Sequence, residues 1–147
     1  MSNNKLAITG KILEVPVFSH EVFGEGVYET KIEVKRLSEQ VDVLPITISE
    51  RLILEHDIKV GDVISVSGQF RSYNKMVDDK SRLMLTIFVR EILGEEEIIN
   101  GNNIDIVGYI CKPPVYRTTP FKREICDVLL AVNRAYNKSD YIPCITW

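Results

Sequence analysis

The sequence predicts an all-β protein: a five-stranded Greek-key barrel followed by a second, incomplete copy of the same unit. Three observations carry that reading. The chain repeats itself at a constant spacing of 98 residues, without a gap. Ile8-Thr9-Gly10-Lys11-Ile12 falls on Ile106-Val107-Gly108-Tyr109-Ile110, and Pro16-Val17 on Pro114-Val115. Val34-Lys35-Arg36 falls on Val132-Asn133-Arg134, and Asp42-Val43-Leu44-Pro45 on Asp140-Tyr141-Ile142-Pro143. Self-similarity at a fixed spacing marks a duplicated structural unit. The second observation is that period-two alternation and β-branched residues dominate the chain. The third is a single short helical pattern, placed between the third and fourth strand patterns.

Taken in order, Leu6 to Val15 reads as a strand, with Gly10 inside it where a sheet bends or bulges. Pro16 to Gly26 reads as a loop. In Val27 to Lys35, Val27, Glu29, Lys31, Glu33 and Lys35 share one face, while Tyr28, Thr30, Ile32 and Val34 share the other. Leu37 to Val41 is a polar connection. Val43 to Ser49 is the third strand, and Pro45 near its start suits an edge or a bulge. Glu50 to His56 forms a short helix, with Leu52, Ile53 and His56 at helical spacing. Lys59-Val60-Gly61-Asp62 is a turn feeding a fourth strand, Val63 to Phe70. Asp78-Asp79-Lys80-Ser81 is a polar hairpin tip, and Arg82 to Ile92 is the fifth strand. Gly94-Glu95-Glu96-Glu97 reads as an exposed linker.

The expected boundaries are therefore a first unit at 1–93, a linker at 94–102, and a second unit at 103–147. Three strands, a helix and two more strands is the order of the OB-fold, whose loops and open face bind oligonucleotides or oligosaccharides. An SH3-like barrel is the structural competitor, but it seldom places a helix at that point. The second unit supplies three strands only: Asn103 to Cys111, Ile125 to Asn133, and Tyr141 to Trp147. Its last residue, Trp147, matches Ser49. Three strands cannot close a barrel, so Ile104, Ile106, Ile110, Leu129, Ala131, Ile142 and Ile145 need another surface to cover them. Either the sequence is a fragment of a longer chain, the favoured expectation, or the half-unit is completed in trans.

The composition is that of an ordinary globular chain, and no apolar run approaches the length of a membrane span. The start, Met1-Ser2-Asn3-Asn4-Lys5, lacks the charged-then-apolar pattern of an export signal, so a cytoplasmic protein is expected. Cys111, Cys126 and Cys144 are odd in number and lack Cys-x-x-Cys spacing, which suits reduced, half-buried thiols better than a metal or redox centre. The net charge of −3 conceals an asymmetry: residues 1–97 carry −5 and residues 98–147 carry +2. An anionic ligand would sit on the second unit.

Catalysis finds little support. His20 and His56 are the only histidines and read as partly buried structural residues. Asp78-Asp79 reads as a solvated tip, and no nucleophile–base arrangement, phosphate loop or metal-ligand cluster is legible. No enzyme, cofactor or metal is expected. Nucleic acid finds more. The second unit interleaves Tyr109, Lys112, Tyr116, Arg117, Phe121, Lys122, Arg123, Arg134, Tyr136, Lys138, Tyr141 and Trp147. Single-stranded binders need that mixture, because phosphates favour a positive groove and unpaired bases stack on flat rings. The competing explanation is that strand tyrosines are mostly cross-strand packing partners.

Three stretches of the second unit then resemble the bacterial single-stranded DNA-binding protein family. They are Asn103 to Ile110 with Pro114-Val115-Tyr116-Arg117-Thr118-Thr119-Pro120, Leu129-Leu130-Ala131-Val132-Asn133-Arg134, and Ser139-Asp140-Tyr141-Ile142-Pro143-Cys144-Ile145-Thr146-Trp147. Gly61 to Tyr73 of the first unit looks like the same family's fourth strand and the start of its hairpin. The primosomal replication protein is the related neighbour. The resemblance implies an OB-fold that binds single-stranded DNA by stacking and phosphate contacts in replication, recombination or repair. It also implies a homo-oligomer that can meet other replication proteins, without cofactor or catalysis. It places stacking rings at Tyr136, Tyr141 and Trp147. The 98-residue shift puts Ser38, Val43 and Ser49 at those positions in the first unit. The second unit is thus the expected binder, and the acidic first unit a scaffold or assembly surface. Arg134, Lys138, Tyr116, Arg117, Lys122 and Arg123 are expected to support the rings. Phe70, Arg71, Tyr73 and Lys75 could give the first unit a weak strand-tracking face. The alternative reading is a protein-interaction module of a replication or phage complex with little affinity for DNA. The acidic-tipped tail common in the family is absent from the sequence, as are the fourth and fifth strands of the second unit.

Overall fold

The computed structural model of the protein describes residues 3–94 and 102–147. Among these residues, eleven strands and one helix follow one another: β1 Asn4–Ile12, β2 Val17–Val22, β3 Glu25–Lys35, β4 Val41–Ser49, α1 Glu50–His56, β5 Val63–Val77, β6 Lys80–Leu93, β7 Asn103–Ile106, β8 Tyr109–Ile110, β9 Val115–Thr118, β10 Glu124–Arg134 and β11 Lys138–Thr146. The first sheet runs β2-β3-β4-β6-β5-β1-β7, and a further β3–β1 pairing closes β1, β3, β4, β6 and β5 into a five-stranded barrel. The β1–β3, β1–β5, β2–β3 and β3–β4 pairings are antiparallel, whereas β4–β6 is parallel and meets at Ile46↔Ile87 and Thr47↔Phe88. This is the OB-fold expected from the order of elements.

Inward alternation builds the barrel core from Leu6, Ile8, Ile12, Ile32, Val34, Ile46, Ile48, Val66, Ile87 and Val89, with Leu52 reaching in from α1. Ser49 caps α1, its hydroxyl accepting from the Leu52 amide at 3.3 Å, and Asp57 ends the helix in the left-handed conformation. A cap of this kind is needed because a helix leaves its first amides without internal partners. Pro45 lies opposite Lys31 of β3, just ahead of the point where β6 begins to pair with β4, so no partner on that side needs its missing amide.

The second sheet has the order β11-β10-β8, with β9 also on β10. The repeat holds residue by residue in its register. Lys11↔Glu33 and Ile12↔Ile32 in the first copy match Tyr109↔Ala131 and Ile110↔Leu130 in the second. Gly10 and Gly108 occupy the same crowded position. A Cβ on Gly10 would lie 2.5 Å from the Glu33 carbonyl oxygen, and one on Gly108 would lie 2.8 Å from that of Ala131. The copies part at β2, where a bulge between Phe18 and His20 has no counterpart in the unbroken β9–β10 pairing.

Four expectations need correction. Pro16 to Gly26 is not a loop but carries β2 and the turn into β3; as an edge strand exposed along its whole length, β2 has no buried face to set a period in the sequence. The strand expected over Asn103 to Cys111 is broken at Val107-Gly108 into β7 and β8. His20 and His56 are exposed rather than partly buried, because His20 lies on the edge strand and His56 in the last turn of α1. Cys111 is likewise exposed, whereas Cys126 and Cys144 are half-buried, and burial pushes the Cys144 thiol up.

The chain packs into two compact units that do not follow the sequence boundaries at 93 and 103. One comprises Lys5–Phe70 and Thr86–Ile104; the other comprises Met1–Asn4, Arg71–Leu85 and Asp105–Trp147. The outer part of the β5–β6 hairpin thus belongs with the second copy. Its tip is a two-residue turn at Asp78 and Asp79, both with positive φ (51° and 63°), the hairpin geometry that matches strand twist. Of the linker expected at 94–102, residues 95–101 lie outside the described residues. Of the apolar residues expected to need cover, Ile142 is buried, Ile106, Leu129 and Ala131 are half-buried, and Ile104, Ile110 and Ile145 remain exposed.

Candidate nucleic-acid interface

Directly paired residues on neighbouring strands share a face, and the side-chain period along each strand is two. Applied to β8, β9, β10 and β11, this places Tyr109, Ala131 and Tyr141 in one row across the sheet. Val115, Asp127 and Ile145 form a second row, with Arg117↔Ile125 beside it. The opposite face carries the buried Val132, Ile142 and Asp140. The outer face presents Tyr109 and Tyr141 on either side of Ala131, carries Arg117 and Asp127 beyond them, and is buried at Ile125. Tyr109 is 71% exposed and Tyr141 42%. Tyr109 belongs to the mixture of rings and cations read in the sequence but not to the three stacking positions that the resemblance implies. The signal for it was the repeat itself, because Lys11 and Val43, its own and Tyr141's counterparts, occupy the matching row in the first copy.

Trp147, one residue beyond β11, is 78% exposed, and the Arg123 guanidinium carbon stands 5.4 Å from its ring centroid. That cation–π contact places a positive charge against an aromatic plane. Arg123 is fixed from the turn before β10: the Thr119 amide donates to the Arg123 carbonyl at 2.8 Å, and the Arg123 amide donates to Thr119 Oγ1 at 3.2 Å. Lys122, in the same turn, has positive φ (60°) and is exposed. Tyr136 projects from the β10–β11 turn and is 90% exposed.

Several expected supporters are already engaged or lie elsewhere. Arg117 grips Asp127 through Nε (2.5 Å) and Nη2 (3.2 Å), and this pairing holds the Asp127 carboxyl below the usual carboxylate range. Tyr116 donates to Glu124 at 2.7 Å from the other face of the sheet. Arg134 and Lys138 face each other across β10–β11 on the side opposite Tyr141, and Arg134 Nε stands 3.4 Å from the buried Asp140 carboxylate. Phe70 packs against the barrel core, and strand alternation puts it on the opposite side of β5 from Arg71, Tyr73 and Lys75. The four residues therefore do not form one face.

In the first copy the equivalent positions are differently employed. Ser49 caps α1, Ser38 lies in the exposed β3–β4 connection, and Val43 faces solvent across from Glu33. The row matching Tyr109–Ala131–Tyr141 is Lys11–Glu33–Val43, which offers charge but no ring. Lys11, Glu33 and Lys35 line a cleft of about 530 Å³ beside Gly10. Among the described residues, no cluster of three or more potential metal ligands occurs. Nor, among the described residues, is any helix long and apolar enough to cross a membrane.

No family model and no curated protein matches the chain. Solved structures do. The dimeric N-terminal domain of PriB from Thermoanaerobacter tencongensis is 41% identical, with a TM-score of 0.53 over 64% of this chain and all of that one. A deletion mutant of the single-stranded DNA-binding protein of Thermus aquaticus shares the fold at 15% identity, with a TM-score of 0.68 over 98% of this chain and 75% of that one. The mitochondrial single-stranded DNA-binding protein Rim1 of S. cerevisiae shares it at 18% identity, with a TM-score of 0.50 over 63% and 95%. With its closed five-stranded barrel and 41% identity along the whole of a PriB domain, this chain belongs to the OB-fold family of bacterial single-stranded DNA-binding and PriB proteins.

Proposed function

We propose that the protein binds single-stranded DNA without catalysis, in replication, recombination or repair, and that the second copy supplies the binding face. One observation carries this reading: Tyr109 and Tyr141 stand exposed in one cross-strand row, where the first copy has Lys11 and Val43. Exposed rings on a rigid sheet can stack with unpaired bases of any identity, at about 1–3 kcal/mol per base. Lys122 and Arg123 add positive charge, and Trp147 beneath Arg123 provides a third ring already paired with a cation. The positive balance of residues 98–147 suits a polyanion better than the acidic first copy does. Self-association is part of the proposal, supported by the dimeric PriB domain. So is a scaffold or assembly role for the first copy.

The test is a titration of Trp147 fluorescence with oligo-dT. Quenching is expected at low salt and should weaken as salt rises, because phosphate contacts release counterions. A folded protein whose fluorescence stays unchanged at low salt would refute DNA binding and favour the protein-interaction module.

A further inference from the structure

We infer that the outer arm of the β5–β6 hairpin, which belongs to the first copy in sequence, forms one wall of the second copy's DNA-binding face. Ser72 and Asp140 are the positioning residues that hold it there. This rests on the function proposed above and assigns part of the site to residues that the repeat alone would give to the other copy.

β5 is 15 residues long, but its register with β1 extends only from Val63 to Gly68. Beyond Phe70 the arm joins the compact unit built from 105–147. Two hydrogen bonds at Ser72 help to fasten it. The Ser72 amide donates to Asp140 Oδ1 at 2.9 Å, and the Tyr141 amide donates to Ser72 Oγ at 2.7 Å. Since that amide is given to Ser72, the bond lies on the edge of β11 that β10 leaves free. The arm is thus attached at the backbone of one of the two outer-face tyrosines.

The repeat shows what is special about this attachment. In the first copy, Asp42 takes two hydrogen bonds from Arg36, at 2.8 and 2.7 Å, on the open surface. In the second copy the matching Asp140 is fully buried, and its matching arginine, Arg134, stands back at 3.4 Å from Oδ2 while Oδ1 receives the Ser72 amide. The same spacing thus yields an exposed clamp in one copy and a buried anchor for a neighbouring strand in the other. A buried carboxylate needs such donors, because leaving it unpaired is costly. Tyr73, next to the anchored Ser72, is 42% exposed, and Lys75 follows on the same side of the strand. The attachment at Tyr141 thereby fixes the strand that carries this ring and this cation, the combination that stacked bases and phosphates can follow.

The experiment measures affinity of the full chain for a labelled oligo-dT across a salt series, in wild type and in Tyr73→Ala, Lys75→Ala, Ser72→Ala and Asp140→Ala. Tyr73→Ala is expected to weaken binding about tenfold, within the range for one stacked base. Lys75→Ala should flatten the dependence of log affinity on log salt by about 0.7, the value for one phosphate contact on a single strand. Asp140→Ala separates the explanations by sign: removing a carboxylate near a polyanion should tighten binding if only charge matters, and should weaken it if Asp140 positions the arm. Ser72→Ala changes no charge and removes only the bond from the Tyr141 amide; should Asp140→Ala fail to fold, weaker binding by this variant is the expected result and unchanged binding the contrary one. In a complementary measurement, oligonucleotides bearing 5-bromodeoxyuridine should photocrosslink Tyr73 as well as residues of 105–147. Wild-type binding that Tyr73→Ala and Lys75→Ala leave unchanged, or crosslinks confined to 105–147, would overturn this inference and leave the proposed function standing. Absence of wild-type binding would overturn both.

Discussion

Replacing both Tyr109 and Tyr141 by alanine is the most direct test of the outer face. The rings lie on either side of Ala131 in one cross-strand row, so a single DNA strand crossing the sheet would meet both. A stacked base contributes about 1–3 kcal/mol, and each 1.4 kcal/mol is a tenfold change, so each ring should account for about 5- to 150-fold in affinity. Tyr109 exposes 71% of its surface against 42% for Tyr141 and should show the larger loss. Removal of exposed rings should cost little stability, because substitutions away from the core usually change it by about 0.5 kcal/mol or less. The backbone bond from Tyr141 to Ser72 survives the substitution. Anisotropy titration with labelled oligo-dT, beside thermal melting by circular dichroism, separates binding from folding. A double variant that melts like wild type and binds within twofold of it would refute base stacking on this face.

Four further outcomes are expected. Asp127→Asn should release Arg117 from its clamp and tighten DNA binding, with a steeper salt dependence in the same titration. Because Arg117 lowers the Asp127 carboxyl, that pair should be intact above the ordinary aspartate range and lost as pH falls through the depressed value; an NMR titration should show the midpoint returning upward in Arg117→Ala. Gly10→Ala should destabilise the barrel by about 1–3 kcal/mol in urea unfolding, since the new methyl meets the Glu33 carbonyl, while Ser49→Ala should cost about 1 kcal/mol through the lost cap.

The repeat, the helix over Glu50 to His56 and most strands were legible because buried faces impose a period on the sequence. β2 was not, because a strand with no buried face leaves no alternation to read. The same limit affected the site. Tyr136, Tyr141 and Trp147 were found through resemblance and proved exposed, but resemblance does not state which residues share a face. Pairing register does, and it brings in Tyr109, turns Arg134 inward to Asp140, and leaves Phe70 in the barrel core. The anchoring of the hairpin arm by Ser72 could not be read at all, since it joins residues 69 positions apart, on strands from different copies.

The β10–β11 turn has one last consequence. Tyr136 and Asn137 both adopt left-handed backbone, with φ of 65° and 58°. Asparagine accepts that geometry readily, but a tyrosine there carries a steric penalty of about 1–2 kcal/mol that glycine would avoid. The tip thus keeps a bulky ring where the main chain would be more comfortable without one. Selection for thermal robustness alone would discard this ring early, whereas selection for grip on a ligand would retain it.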